Sequence, residues 1–265
     1  MDRTSAPVSR RRLLTGGALT VGGALAGAGI TASGRPEPSG TGAGPAAPAG
    51  LGRHTEPFYG EHQAGIATRP QAHASFLAFD LAEGVDREAL GRMMRLLTDD
   101  AARLTQGTPA LADVEPELAR MPARLTVTFG FGPGLFTAAG LDHLRPPSVK
   151  PLPPFPIDRL QQRWTGGDLL IQICADDPLT VSHAQRMLIA DTRAFARLRW
   201  VQRGFGHGRA MQDDDGATQR NILGQLDGTA NPVPGSELFD TVVWADREPE
   251  WFTGEIGRAS CRERV

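Results

Sequence analysis

Residues Arg220 to Pro232, RNILGQLDGTANP, place one carboxylate, Asp227, between Gly224 and Gly228 in a stretch that is otherwise polar and rich in turn formers. Glycine has no Cβ, so the backbone on either side can approach a flat or bulky ligand while the single carboxylate projects into it. A carboxylate held that way can take a proton from one atom of a substrate and return it to another. The competing reading is a Gly-Asp turn whose carboxylate hydrogen-bonds its own backbone. The short pattern by itself leaves both open.

No other cluster competes with it. His54, His62, His73, His143, His183 and His207 show no His-x-x-x-His or comparable ligand spacing. His183 falls in a helical stretch and is expected at the surface or at a cap. His62, in YGEHQAGI, lies among turn residues ahead of the first strand and is the most prominent of the six. Cys174 sits in an apolar strand pattern and reads as an inert buried thiol. With Cys261 it makes only one pair, a thin basis for a disulfide.

These residues need a scaffold, and 265 residues are enough for one large or two small domains. The net charge of −2, with no Lys/Arg run in the body of the chain, excludes an electrostatic nucleic-acid binder. The front of the chain is different. Residues 1–33 carry a basic cluster at Arg10 to Arg12, a weakly apolar Gly/Ala stretch and small residues near Ala32, the layout of an export signal. Paired arginines after Ser9, followed by Leu13 and Leu14, fit the twin-arginine type, which carries proteins already folded. A membrane anchor fits less well, because six glycines fall between Gly16 and Gly29 and bulky apolar residues are lacking. Residues 34–52 are a Gly/Pro/Ala linker that cannot bury a core.

Beyond the linker the periodicity is legible. HASFLAFD (His73 to Asp80) reads as a buried strand. Asp86 caps a helix with Leu90, Met93, Met94, Leu97, Ala101 and Leu104 at helical spacing, so the methionines are core packing rather than metal ligands. RLTVTFGFG alternates Leu125, Val127, Phe129 and Phe131 against Thr and Gly, a half-buried strand. The Pro-rich run Pro146 to Pro156 crosses the surface, and GDLLIQICAD is a third strand. Asp177-Pro178 opens a second helix with Val181, Ala184, Leu188 and Phe195 along one side. RLRWVQRGF is the fourth strand. The order β-α-β-β-α-β is the ferredoxin-like split βαβ pattern, an α+β domain with an antiparallel sheet over residues 53–215. Residues 216–254, with DTVVWA read as a strand, begin a second domain.

The chain resembles the dye-decolourising (DyP-type) haem peroxidases. RNILGQLDGTANP contains their G-x-x-D-G signature, and YGEHQAGIAT, LTVTFGFGPGLF, GGDLLIQICADDP and DREPEWFTG resemble segments of exported bacterial members in the same order, from about Phe58 to Gly254. The resemblance implies two ferredoxin-like domains, one haem b, hydrogen peroxide as oxidant and a small-molecule reductant such as a phenol or dye. It makes Asp227 the distal acid–base and runs Gly228, Thr229 and Ala230 along the haem. It also implies an axial histidine and a distal arginine in the second domain, beyond the last residue of this sequence; the family's apolar strand is replaced here by EIGRASCRERV, so residues 255–265 are expected to be a non-native tail on a truncated chain. An alternative within the same pocket is an exported haem-handling protein that releases iron from haem during iron uptake, and a further one is an inactive fragment. The implied partners are peroxide, a reductant and the twin-arginine machinery. The implied location is the periplasm, cell surface or exterior, and a homo-oligomer is compatible with all of this.

The paired arginines are the part of the signal that the export machinery reads. Replacing Arg10 and Arg11 together by lysine should trap the precursor in the cytoplasm, as cell fractionation would show; equal export of parent and variant would refute the twin-arginine reading.

Overall fold

The computed structural model describes residues 50–206 and 220–245. The expected signal, most of the linker, His207, Cys261 and the tail lie outside those residues.

Local sequence explains each element. Strand β1 (His73–Leu81) is apolar and aromatic. Helix α1 (Arg87–Thr105) starts at Asp86, whose side chain accepts a hydrogen bond from the Ala89 N–H at 2.8 Å. Its stripe Leu90, Met93, Leu97, Ala101 and Leu104 is buried, with Met94 only partly so. The short helix α2 (Pro116–Ala119) precedes β2 (Thr126–Phe131), and the short helix α3 (Pro133–Ala138) follows it. The segment 150–160 runs largely exposed to β3 (Leu169–Ala175), whose residues alternate buried and half-buried. Helix α4 (Pro178–Thr192) is capped by the Asp177 carboxylate, which accepts from Leu179 N–H at 2.7 Å, with Pro178 in the first turn where no N–H is needed. Strand β4 (Ala196–Phe205) completes the set.

The strands form one antiparallel sheet in the order β2-β3-β1-β4, so the first and third strands are central. Leu77 stands opposite Ile171 on β3 and Val201 on β4. The sheet residues Leu77, Phe79, Leu169, Ile171 and Ile173 meet Met93, Leu97 and Leu188 of the helices in one core. Burying each such side chain contributes about 1.5–3 kcal/mol. This is the ferredoxin-like α+β fold anticipated above.

Four local expectations are corrected. The DTVVWA stretch is not a strand: Glu237–Val243 is helix α5, because the Ser236 hydroxyl accepts from Phe239 N–H at 3.2 Å and Glu237 and Asp240 favour the first turn. Phe195 is not on the side of α4; it follows the helix end and packs from the turn into β4. In β2, Thr126 is fully buried while Phe131 is 40% exposed, because the Gln71 carboxamide covers Thr126 at 3.0 Å and Phe131 closes an edge strand. His183 is not at the surface. It is 1% exposed, and its Nε2 lies 3.1 Å from the Asp113 carboxylate, because the chain between α1 and α2 folds back over α4.

Two carboxyls also meet between α1 and α4. Asp100 is buried and accepts the Leu111 N–H at 2.8 Å, while Asp191 has one carboxyl oxygen buried without a hydrogen-bond partner among the described residues. Burial first, and then the neighbouring Asp100 carboxylate, push Asp191 up from 3.8 to about 7. The folded form therefore holds this proton more tightly than the unfolded chain, so its stability contribution is full below 3.8 and is lost as pH rises to about 7. Asp191→Asn should flatten that dependence and leave the domain more stable than the parent above the window. Urea unfolding on both sides of it measures this; a parent whose stability does not fall across the window would refute it.

Candidate functional site

The Asp227 turn is built by its neighbours. Arg220 and Leu226 form an isolated antiparallel bridge, and inside it the Asn221 carboxamide oxygen accepts from Leu223 N–H at 3.0 Å and Gln225 N–H at 3.1 Å. The Gly224 N–H donates to the Asn221 carbonyl at 2.9 Å, and the Arg220 guanidinium donates to the Gly224 carbonyl at 2.6 Å. Gly224 and Gly228 have φ of +79° and +100°, a region closed to most side chains. Past Gly228, the Asn231 N–H donates to the Gly228 carbonyl at 3.0 Å, forming a second turn through Thr229 and Ala230.

Asp227 lies exposed between these two turns, as do Gly228, Thr229 and Ala230. Among the described residues the turn is held by Asn221 and Arg220, and no hydrogen bond uses the Asp227 carboxylate. The self-capping Gly-Asp turn is therefore not the arrangement seen. The same stretch exposes apolar side chains: Ile222 is 82% and Leu223 79% exposed, with Leu226 and Val233 also outward. The acid is thus flanked by open apolar surface and by glycine backbone.

The rest of the segment reaches the sheet domain through rings. Trp244, at the end of α5, stacks on His62 with centroids 3.7 Å apart and planes 13° from parallel, and Phe239 meets Trp244 edge-on. His62 thus comes next to the aspartate-bearing segment, while His54 and His143 stay exposed and His183 pairs with Asp113. Trp244 was missed at the sequence level because its stretch reads as a strand; its aromatic character beside a helix cap was the available signal. Cys174 is half-buried, and burial pushes its thiol up to about 11, so it stays protonated and unreactive at neutral pH. Among the described residues no three His, Cys, Asp or Glu side chains gather as a metal site, and no helix is long and apolar enough to cross a membrane. A shallow hollow at the start of α1, lined by Asp86, Arg87, Glu88, Gly91, Arg95 and Ala139, shares no residue with the Asp227 turn.

Residues 63–206 match the family model described as Dyp-type peroxidase, N-terminal. Deferrochelatase of Escherichia coli O157:H7 is 37% identical over 261 residues, covering 93% of this chain and 60% of its own. Deferrochelatase of Escherichia coli K12 is 38% identical over 214 residues, covering 75% of this chain and 50% of its own. Among solved structures, a DyP-type peroxidase from Cellulomonas bogoriensis is 50% identical with a TM-score of 0.73, covering 78% of this chain and 57% of that one. Ferric DtpA from Streptomyces lividans is 41% identical with a TM-score of 0.69, covering 74% and 53%. The chain spans between half and three fifths of the length of these relatives. With the family's N-terminal model matching more than half of its residues, on the same sheet and helices described above, this chain belongs to the Dyp-type peroxidase family.

Proposed function

We propose that this chain carries the N-terminal domain and the acid–base wall of an exported haem peroxidase, using haem b, that reduces hydrogen peroxide and oxidises phenols, dyes or similar reductants. The observation that carries the proposal is the exposed Asp227 carboxylate, which makes no hydrogen bond among the described residues and is held out from a turn whose own hydrogen bonds are made by Asn221 and Arg220. The residues present fit one face of a haem. At Gly228 φ is +100°, a conformation that strains any residue with a side chain, while a Cβ there would make only ordinary contact with the Asn231 side-chain nitrogen at 3.4 Å. Gly228, Thr229 and Ala230 would border the macrocycle, with the exposed apolar residues Ile222, Leu223 and Leu226 nearby.

When bound, haem supplies the iron at which peroxide is reduced. The chain supplies the proton path. The Asp227 carboxylate accepts the proton from the peroxide oxygen that stays and hands it to the oxygen that leaves as water, so one group serves as base and then acid. Closing the surrounding apolar surface over the site would exclude water and strengthen that transfer. Export in folded form by the twin-arginine machinery suits a protein that acquires its cofactor before crossing the membrane, and places the activity in the periplasm or beyond. A homo-oligomer is compatible with this reading.

The relatives named deferrochelatase favour a second reading, removal of iron from haem, in the same pocket. The two differ in product: oxidised reductant in one case, metal-free porphyrin in the other.

Asp227→Asn preserves size but cannot carry the proton. In the haem-loaded protein it should lower peroxide-driven dye oxidation by roughly a hundredfold or more, the usual cost of losing an acid–base group, with haem absorbance and stoichiometry unchanged. A variant that loses haem but turns over normally per haem would refute the proton-carrier role. Porphyrin fluorescence in the same reactions distinguishes iron release from peroxidase turnover.

A further inference from the structure

Among the described residues, the hydrogen bonds that shape segment 220–245 run within it, from Arg220 to Gly224, from Leu223 and Gln225 to Asn221, from Phe239 to Ser236 and from Thr241 to Glu237. Its outward-facing residues Leu238 and Val242 are exposed on α5, whereas Phe239 is buried and touches Trp244. The ring stack of Trp244 on His62 leads out of the segment and into the sheet domain.

His62 is well placed to act as an anchor. Its neighbour Gln63 is held to the outer edge of β2 by two bonds: its carboxamide N–H donates to the Phe129 carbonyl at 3.1 Å and its oxygen accepts the Phe129 N–H at 2.8 Å. The Ala64 carbonyl accepts the Thr128 hydroxyl at 2.6 Å, and the Gly65 carbonyl accepts the Gln172 carboxamide at 3.1 Å. At Gly65, φ is +97° and any Cβ would collide with the Thr128 hydroxyl, so the chain lies hard against the sheet. His62 therefore projects from a backbone fixed to β2 and β3. Its Nδ1 is buried with no hydrogen-bond partner among the described residues, so that side of the ring is placed by packing rather than by a polar contact.

We propose that His62 is a positioning residue: its ring, stacked on Trp244, latches the Asp227-bearing segment to the sheet domain. Its consequence for turnover rests on the reading of Asp227 as proton carrier, while the latch itself can be tested without haem. A planar ring is what the latch requires, since the attraction is face-to-face burial and not a hydrogen bond. Phenylalanine should therefore replace histidine, and alanine should not.

The test is hydrogen exchange, followed by mass spectrometry, on the 265-residue chain. His62→Ala should raise exchange about tenfold in the amides of α5 and of the Asn221–Gln225 turn, leave β1 and β3 protected, and be rescued by His62→Phe. Trp244→Ala, made outside the sheet, should reproduce the effect, and the double substitution should add nothing further, as expected for two partners of one contact. Asp227→Asn should leave exchange unchanged, which separates failure of the latch from failure of the peroxidase reading. Normal protection in Trp244→Ala, or a His62→Phe variant as loose as His62→Ala, would overturn the proposal, whatever His62→Ala does to the rest of the fold.

Discussion

A four-stranded sheet whose two helices pack on one face still has a second face and an open edge, and both must be covered without leaving polar groups unpaired. Here the chain ahead of β1 does that work. Gln63 pairs with the backbone of Phe129 on the edge strand, Thr128 and Gln172 reach the Ala64 and Gly65 carbonyls, and Gln71 bridges Thr126 and the Arg124 carbonyl. Arg124 closes the arrangement from below. Its guanidinium, mostly buried, meets Glu56 at 2.7 Å, Asp176 at 3.4 Å and the Arg69 carbonyl at 2.8 Å. Ala123 and Arg124 both have positive φ, a strained conformation for residues with side chains, which persists because so many contacts determine it.

The candidate site inherits that rigidity indirectly. None of its residues lies on a strand of the sheet. Asp227 is on a turn held by Asn221 and Arg220, and among the described residues a ring stack joins the segment to His62, the residue just before the edge-pairing Gln63. A proton carrier must sit within hydrogen-bond reach of the atoms it serves. With Asp227 as the proposed carrier, the proposed latch would set its geometry through backbone that the sheet holds at His62, 165 positions earlier in the chain (227 − 62).

On the helical side, ionisable groups meet in pairs, buried at His183 and Asp113 and exposed at Arg186 and Glu115. His183 meets Asp113, Arg186 meets Glu115, and Asp191 shares its surroundings with Asp100. Each pair ties α4 to α1 or to the loop between α1 and α2. Removing one partner of a buried pair is costlier than the pair's net contribution, because the remaining charge is left without compensation. The Asp100 and Asp191 pair differs from the other two in joining like groups, and it is relieved by a proton instead of a counter-ion.

By itself the sequence determined the periodic elements and their order. The apolar alternation of β1 and β3, the α1 stripe from Leu90 to Leu104, and the caps Asp86 and Asp177 are local signals, and the β-α-β-β-α-β order admits few topologies. It also marked Asp227 and its glycines, since unusual residue types in an otherwise turn-like stretch need no partner to be noticed. What only the tertiary structure decided were contacts between distant positions. His183 looked like a surface residue until the loop at Asp113 folded over it; DTVVWA, with its β-branched residues, reads as a strand, but the Ser236 cap and the Trp244 stack belong to a helix. That Asn221, not Asp227, holds its turn, and that His62 meets Trp244, depend on side-chain positions that no period or propensity encodes, because they arise from packing between segments far apart in the chain.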